Sequence, residues 1–469
     1  MEEEIDKVYF ALLHLDKQNV LELLDGDIDP NYYVSDGTAT GITCYLYKAV
    51  RRNEVEIVEK LLTKGAGPNL EDDEGETPLF AALENDMDSS IQKVLYAYGA
   101  NKNHKNKAGN TPLMYLALRG SDLGFKCTDE TLFNLLSGCE DFSDTNSREQ
   151  SLIHLIPYVH TCEQVIKDEE HICRKYLRIL LSNGVSVDMT DGSSLTPIHY
   201  ACKTCCMDAV CFLFESGADL KLRTSTGQSV VHLLGCNPDR PDFQKILEFL
   251  LNKGSSVSDV DSKGRNILHY ITESNKANRK AIECVIAHGL EPNQKDNFGL
   301  SPLHLSTIPS LFTSRDHIED DEEMKFDVSD IVKTLVDKGA DVNATDNNGL
   351  TPLHYILRYE KKATTVKTLL SCGADVTLRT KTGETAVHRA TIYPNLLQVL
   401  LEHINSNDLK LVINLKDKFG STALHWAIYY FEDDCINMLV RDGADINSID
   451  DEGRTPVQFA IYLKRTEVF

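Results

Sequence analysis

The sequence lacks the features that would mark a membrane-spanning or disulfide-stabilised protein. It has no run of 18 or more apolar residues, so we expect no helix that crosses a bilayer. The acidic residues 2–4 leave no room for the basic start of a signal peptide, and no apolar segment follows them. The 13 cysteines are odd in number and follow no framework spacing, which is unlike a small disulfide scaffold. Trp426 is the one tryptophan among 469 residues.

Basic residues are scarce relative to acidic ones. The chain has 48 Lys and Arg against 72 Asp and Glu, a formal net charge of -24. This charge opposes binding to nucleic acid or to an anionic membrane. No basic stripe with interleaved aromatics appears beyond the pairs Arg51-Arg52 and Lys361-Lys362. We therefore expect one or more proteins as partners, no nucleic acid and no membrane insertion, and a cytoplasmic or nuclear location.

Signatures of catalysis are also missing. The sequence has no phosphate-binding Gly-Lys-Ser/Thr loop, no dinucleotide fingerprint, no His-Glu-x-x-His and no nucleophile elbow. It therefore predicts no enzyme and no cofactor. The densest cysteine cluster, Cys202, Cys205 and Cys206, has one Cys-x-x-Cys spacing of the kind that zinc sites use. Its place in the repeat described next favours small buried residues over a metal site.

What the sequence does contain is a repeated phrase. The pattern Thr-Pro-Leu-His recurs in eleven clear copies, such as Thr196-Pro197-Ile198-His199 and Thr351-Pro352-Leu353-His354. A glycine usually lies two residues earlier, and a Leu-x-x-x-Gly-Ala phrase follows about 20 residues later, as at Leu439 to Ala444. Thr is a favoured helix N-cap, Pro fits the first helical position, and Gly ends helices. Each copy therefore predicts a pair of short helices, which must stack on its neighbours to bury an apolar face.

These residues resemble the ankyrin repeat, a unit of about 33 residues with a β-turn and two antiparallel helices. The resemblance covers nearly the whole chain and implies an all-α fold. We expect residues 1–469 to form a single array, an elongated and curved α-solenoid of about twelve stacked repeats. Residues 1–36 would be a partial capping repeat, and residues 453–469 an incomplete last repeat. Eight of the fifteen histidines occupy the fourth position of the phrase, where the family uses His to tie hairpin to helix by hydrogen bonds.

Three insertions lengthen the repeat, at residues 119–131, 157–172 and 307–328. The last is the largest and contains the acidic run at residues 319–323. Insertions in such arrays form loops on one face, which is often a binding face. The 307–328 insertion is interpreted either as a solvated acidic loop or as a loop that docks a basic partner segment.

The family resemblance implies protein binding through a concave groove of hairpin tips and first helices. Tyrosine recurs four or five residues after the phrase's fourth position in consecutive C-terminal repeats, which predicts a ladder along helices roughly 10 Å apart. Tyrosine is common at interface hot spots. The predicted partner-binding residues are Arg358, Tyr359, Tyr393, Tyr429, Tyr430 and Tyr462, with Phe298 and Phe419 at hairpin tips. The alternative is that the tyrosines pack between first helices and stabilise the stack.

The sequence thus favours a non-enzymatic scaffold or adaptor. The irregular repeat lengths are similar to those of viral and other host-manipulating ankyrin proteins, some of which recruit a ubiquitin ligase through an F-box-like segment. We identify no such segment before Phe469. One alternative is the regulatory or sensing ankyrin region of a larger enzyme or channel. Another is a small-molecule sensor with its ligand between repeats.

Overall fold

The computed structural model describes residues 11–12, 17–26, 28–35, 42–84, 90–119, 129–137, 139, 141–160, 172–308 and 328–463. Much of the predicted capping repeat 1–36 lies outside these residues, as does most of each of the insertions 119–131, 157–172 and 307–328. Residues 464–469 of the predicted incomplete repeat also lie outside them.

The described residues are largely helical and fall into two compact units, Met1–Ser225 and Thr226–Phe469. In the first unit, the strands β1 (Tyr33–Ser35) and β2 (Ile42–Cys44) pair antiparallel, with Val34 opposite Thr43. The α-helices of this unit are α1 (Lys17–Leu23), α2 (Tyr45–Arg51), α3 (Val55–Thr63), α4 (Pro78–Glu84), α5 (Ser90–Ala97), α6 (Pro112–Arg119), α7 (Asp129–Leu136), α8 (Leu152–Leu155), α9 (Ile172–Ser182), α10 (Pro197–Thr204) and α11 (Met207–Glu215). A 3-10 helix, Ile156–His160, follows α8.

The second unit consists of helices joined by turns and hairpin loops. Its helices are α12 (Val230–Leu234), α13 (Phe243–Asn252), α14 (Ile267–Glu273), α15 (Arg279–Ala287), α16 (Pro302–Ser306), α17 (Ser329–Asp337), α18 (Pro352–Ile356), α19 (Ala363–Ser371), α20 (Ala386–Ala390), α21 (Pro394–His403), α22 (Leu409–Ile413), α23 (Ala423–Tyr430), α24 (Asp433–Arg441) and α25 (Pro456–Tyr462).

The repeated phrase begins the first helix of each pair. At α18, the Thr351 N–H donates to His354 Nδ1 at 3.2 Å, and the Thr351 hydroxyl lies 2.8 Å from the same nitrogen. Pro352 occupies the first helical position, where a backbone N–H would have no partner within the helix. Gly349, two residues before Thr351, has a φ of 77°, a left-handed conformation that glycine adopts without steric cost. The phrase therefore specifies both a helix start and the turn that precedes it.

The phrase's histidines link neighbouring repeats. His304 Nε2 lies 3.0 Å from the Leu350 carbonyl oxygen of the next hairpin, and His232 Nε2 lies 2.9 Å from that of Arg265. Because each Nδ1 accepts a bond from its N-cap residue, the neutral ring with its proton on Nε2 fits both contacts. Burial lowers the pKa of His269 to about 4 and that of His354 to about 4. Both rings are therefore uncharged, and His269 ties its repeat to the Leu300 carbonyl oxygen at 3.2 Å, in the way that the family resemblance implies.

The core of each unit runs between the stacked helices. Leu353 and Ile356 of α18 are buried, as are Val366 and Leu369 of α19. Each fully buried aliphatic side chain contributes about 1.5–3 kcal/mol relative to an exposed one. This burial requires the neighbouring pairs, since a single pair leaves one apolar face open. The predicted all-α repeat solenoid is confirmed.

The cysteine cluster lies within this packing. Cys202 is buried in α10, Cys205 ends that helix with a φ of 55°, and the buried Cys206 precedes α11. Burial raises the pKa of the Cys202 thiol well above its ordinary value. Within the described ranges, no group of three or more His, Cys, Asp or Glu side chains is placed to hold a metal ion.

Candidate partner-binding surface

Several hairpins are held by an aspartate that opens them. Asp261 Oδ1 accepts backbone N–H bonds from Lys263 at 2.8 Å and Arg265 at 2.9 Å, and its Oδ2 accepts from the Tyr270 hydroxyl at 2.7 Å. Burial would raise the pKa of Asp261, but the bonds from Tyr270 and from the hairpin backbone hold it below its ordinary value. One carboxylate therefore fixes the hairpin and attaches it to the following first helix.

The same arrangement recurs with an aromatic residue nine positions after the aspartate. The donor–acceptor pairs are Tyr200 to Asp191 at 2.6 Å, Tyr270 to Asp261 at 2.7 Å, Tyr355 to Asp346 at 2.9 Å and the indole of Trp426 to Asp417 at 3.0 Å. The rings also meet the histidine of the preceding repeat edge to face, with centroids 5.9 Å apart for His388 and Trp426. Sequence reasoning missed this row, although the fixed Asp-to-aromatic spacing could have revealed it.

Tyr359 and Tyr393 lie beyond the ends of their first helices. Helix α18 ends at Ile356 and α20 at Ala390, so both tyrosines fall in the turns that follow. Both are half-buried, and the Tyr393 hydroxyl donates to the carbonyl oxygen of the exposed Arg358 at 3.3 Å. Burial raises the pKa of Tyr359. The contact crosses from one repeat to the next, which is the arrangement that inter-repeat packing requires.

Tyr429 and Tyr430 differ from that pair because α23 continues through both residues. The Tyr429 side chain is 55% exposed, whereas Tyr430 is half-buried. Their rings meet edge to face with centroids 5.2 Å apart, and Tyr430 lies 5.9 Å from the ring of Trp426. Burial raises the pKa of Tyr430, and Tyr429 and Glu384 add to that increase. The three rings form an aromatic cluster with Tyr429 as its exposed member.

Tyr462 lies at the corresponding place on α25, which packs against α23. It is 68% exposed, and the guanidinium of Arg454 lies 5.0 Å from its ring centroid. Arg454 is itself held by ion pairs to Asp450 at 2.7 Å and Glu452 at 2.6 Å. The ring therefore rests on a fixed cation and leaves most of its surface in solvent.

Phe298 and Phe419 lie at hairpin tips. They are 57% and 59% exposed, yet the backbone beneath each is fixed, because the Phe419 N–H donates to Asp417 Oδ1 at 2.8 Å. The Phe419 carbonyl accepts from the Asp451 N–H at 3.0 Å, and the Lys418 ammonium lies 4.9 Å from the Phe419 ring. Rigid tips with exposed rings lose little conformational entropy on binding.

Two further exposed apolar residues were not predicted. Phe431 has a φ of 65°, a left-handed conformation that is uncommon for a bulky side chain, and it lies directly after the tyrosine pair of α23. Ile461 is exposed on α25 beside Tyr462. The repeat register offers no signal for the exposure of Ile461, because the equivalent residues Cys202, Leu357 and Ile428 are buried.

The stacked helix pairs, the hairpin aspartates and the Thr–His caps together define a repeat protein in which, within each unit, neighbouring helix pairs share a core. The chain belongs to the ankyrin repeat family. Profiles of this family described as "Ankyrin repeats (3 copies)", "Ankyrin repeats (many copies)" and "Ankyrin repeat" match residues 46–127, 324–410 and 393–469, residues 180–234, and residues 298–347, respectively. Ankyrin repeats are protein–protein interaction modules.

Several curated proteins are similar to this chain. Human transient receptor potential cation channel subfamily A member 1 is 25% identical over 299 residues, which are 56% of this chain and 25% of the channel. A variola virus ankyrin repeat protein is 26% identical over 168 residues, covering 34% of this chain and 29% of the viral protein. The mouse B-cell lymphoma 3 protein homolog is 26% identical over 240 residues, covering 50% of this chain and 44% of that protein. The matches thus span between a quarter and under half of these relatives.

The described helices are all too short or too polar to span a membrane.

Proposed function

We propose that the unit Thr226–Phe469 binds a partner protein through an aromatic surface made of Phe419, Tyr429, Tyr430 and Tyr462. Phe298 adds a contact at an earlier hairpin tip. The observation that carries this proposal is the exposure of Tyr429 and Tyr462 on two first helices that pack against each other. Large rings on rigid elements supply contact area at low entropic cost, as hot-spot residues do.

In this proposal the chain acts without chemistry, as a scaffold or adaptor. Ankyrin repeats serve as interaction modules, which supports this role. The histidines of the phrase are buried and uncharged, which favours a structural role for them over a catalytic one. A narrower form is a host-manipulation or ubiquitin-ligase-linked adaptor, and the similarity to the variola virus protein supports the host-manipulation part. We place its action in the cytoplasm or nucleus, in keeping with the free thiols of the described cysteines.

The experiment replaces the exposed rings and leaves the inter-repeat tyrosines intact. Phe419, Tyr429 and Tyr462 are changed together to Ser, and a matched control changes Leu411, Val440 and Ile446 to Ser. The control residues are also exposed and apolar in the same unit. Affinity capture from native lysate, quantified by mass spectrometry, compares both variants with the wild type.

We expect proteins retained by the wild type and the control to fall about tenfold or more with the aromatic variant, since hot-spot residues contribute about 2 kcal/mol or more each. Circular dichroism and thermal unfolding establish that both variants remain folded. Equal capture by the folded aromatic variant and the control would contradict the proposal.

The second candidate is the regulatory or sensing ankyrin region of a larger channel or enzyme. The specific observation in its favour is the match to a cation channel over more than half of this chain. Sequencing the full transcript tests it directly. A pore-forming or catalytic segment in the same reading frame would support this candidate, and its absence would refute it.

A further inference from the structure

Two successive hairpins of the unit Thr226–Phe469 each carry two exposed cations at matching positions. We call this set the cation row, and its members are Arg379, Lys381, Lys416 and Lys418. Thr380 and Asp417 separate the two cations of each hairpin, and both are buried. Because alternate residues of an extended chain face opposite sides, the cations on either side of these buried residues face solvent together.

Hydrogen bonds hold the two hairpins side by side and in register. The Lys418 N–H donates to the Thr382 carbonyl oxygen at 3.0 Å. The Arg379 guanidinium donates to the Lys416 carbonyl oxygen at 2.6 Å, and the Lys416 ammonium donates to that of Ile449 at 2.7 Å. These carbonyl acceptors position both cations but carry no net charge. The cation row is therefore ordered and remains positive.

Nearby carboxylates do not neutralise the cation row. Within the residues that the structure describes, none of its four members forms an ion pair. Glu384 pairs instead with Arg389 at 2.8 Å, and Asp417 accepts from the indole of Trp426 at 3.0 Å. Arg454, in the following hairpin, differs from the cation row because two carboxylates pair with it.

The cation row lies in a locally basic part of an acidic chain. Residues 351–420 contain ten Lys and Arg against six Asp and Glu, whereas the whole chain has 48 against 72. The matching positions of the flanking hairpins hold Thr345 and Asn347 on one side, and Ile449 and Asp451 on the other. The positive surface is thus two hairpins wide and ends beside a carboxylate. A short anionic segment fits this width, whereas nucleic acid would extend over uncharged and acidic tips.

An exposed aromatic ring borders the cation row. The Lys418 ammonium lies 4.9 Å from the centroid of the Phe419 ring, and Phe419 is 59% exposed. Phe419 belongs to the aromatic surface of the proposed function. A partner segment that contacts this ring therefore lies within reach of the cations.

We propose that the cation row binds an extended acidic segment of the partner protein, whose Asp or Glu carboxylates lie beside the four cations. The inference rests on the proposed function for the presence of a protein partner, and it adds the charge of the segment that the partner presents. Alternate residues of an extended segment project to one side about 7 Å apart, which matches the two-residue spacing of Arg379 and Lys381. Complementary charge of this kind selects a partner and speeds its encounter.

The test uses a fluorescein-labelled peptide of four glutamates alternating with serines. Fluorescence anisotropy gives its Kd for the full chain at about 0.1 M salt, where charges beyond about 10 Å are screened. A second peptide carries glutamine, which has nearly the same shape and no charge, in place of each glutamate. A labelled oligothymidylate of eight nucleotides supplies an anion of another class.

The variant Lys381→Gln/Lys418→Gln removes two charges and spares Arg379 and Lys416, which hold backbone carbonyls. The matched control, Lys280→Gln/Lys333→Gln, removes the same charge from exposed positions on the second helices α15 and α17. The variant Lys381→Arg/Lys418→Arg keeps the charge. Circular dichroism establishes that all three variants are folded.

We expect saturable binding of the glutamate peptide, weakened about fivefold in the glutamine variant and less than about twofold in the control, since each exposed ion pair contributes modestly. The arginine variant should bind about as tightly as the wild type, and the glutamine peptide should not bind. At about 1 M salt, where the screening length is about 3 Å, wild-type binding should be lost. Equal weakening in variant and control, equal binding of both peptides, or affinity unchanged by salt would each overturn the inference. Oligothymidylate bound as tightly as the glutamate peptide would overturn the assignment to an acidic protein segment.

A further measurement separates this inference from the proposed function. The variant in which Phe419, Tyr429 and Tyr462 are changed to Ser keeps all four cations, so it should bind the glutamate peptide within about twofold of the wild type. That result together with unchanged capture from lysate would refute the aromatic surface and leave the cation row in place. Weakening as large as that of the glutamine variant would assign peptide binding to the rings and would overturn the inference.

Discussion

Mild acid should destabilise the unit Thr226–Phe469 through its buried histidines. Burial lowers the pKa of His269 and of His354 to about 4, whereas both titrate near 6.5 once unfolded. The unfolded chain therefore binds more protons between these values, so the free energy of unfolding falls as the pH drops below 6.5. From pH 7.5 to pH 5.5 each histidine should lose about 1.3 kcal/mol, and the pair about 2.6 kcal/mol.

Carboxylates add little in this window. Asp261 and Asp450 have folded-state pKa values below the ordinary 3.8, so the stability they contribute is present above that value and is lost only in stronger acid. Burial also lowers the pKa of His304, His388 and His425, and this adds to the loss between pH 7.5 and pH 5.5. A dependence on pH between 5.5 and 7.5 therefore reports the histidine ties.

The assay is urea unfolding at pH 7.5 and pH 5.5, followed by the fluorescence of Trp426, which reports this unit. The chain supplies its own control, because Gln458 occupies the histidine position in the last repeat and still accepts the Thr455 N–H at 2.9 Å. The double variant His269→Gln/His354→Gln should keep the helix cap and lose the titration. It should be less stable at pH 7.5, since His269 also ties to the Leu300 carbonyl at 3.2 Å.

The decisive quantity is the difference in unfolding free energy between the two pH values. In the double variant this difference should shrink by about 2.6 kcal/mol relative to the wild type. An unchanged difference would mean that these histidines have the same pKa in the folded and the unfolded unit, and the account of neutral buried rings would fail.

Two further predictions concern the hairpins. Gly383→Ala should destabilise the unit by about 1–2 kcal/mol more than Gly453→Ala, since both have a positive φ but only Gly383 would place a Cβ 2.6 Å from a backbone nitrogen of the next hairpin. Thermal unfolding measures both, and equal losses would refute the steric argument. Tyr355→Phe should cost about 1–3 kcal/mol, because it leaves the buried Asp346 without its 2.9 Å hydroxyl donor. Tyr429→Phe should change stability by less than about 0.5 kcal/mol. A loss as large as that of Tyr355→Phe would contradict the claim that only the Tyr355 hydroxyl supports the fold.

The fold was predictable because its determinants repeat. Thr351, Pro352 and His354 each act within four residues of chain, so their pattern reports a helix start wherever it occurs. The exposure of a side chain depends instead on where its helix ends. Counting from the phrase gives Tyr393 and Tyr430 the same position, yet α20 stops at Ala390 while α23 continues through Tyr430. The tyrosines of the predicted ladder therefore lie in two kinds of place: Tyr393 makes a contact in a turn, and Tyr430 lies on the helix that carries the exposed Tyr429.

Hydrogen bonding separates structural aromatics from those available to a partner. Trp426 and Tyr355 each donate to a buried aspartate that also holds its hairpin, so replacing either one loosens two elements at once. Among the described residues, Tyr429 packs against the ring of Tyr430 and Tyr462 lies over the guanidinium of Arg454, and most of the surface of both tyrosines faces solvent. Replacing Trp426 or Tyr355 should therefore destabilise the repeat, whereas replacing Tyr429 or Tyr462 should mainly change the surface that a partner contacts.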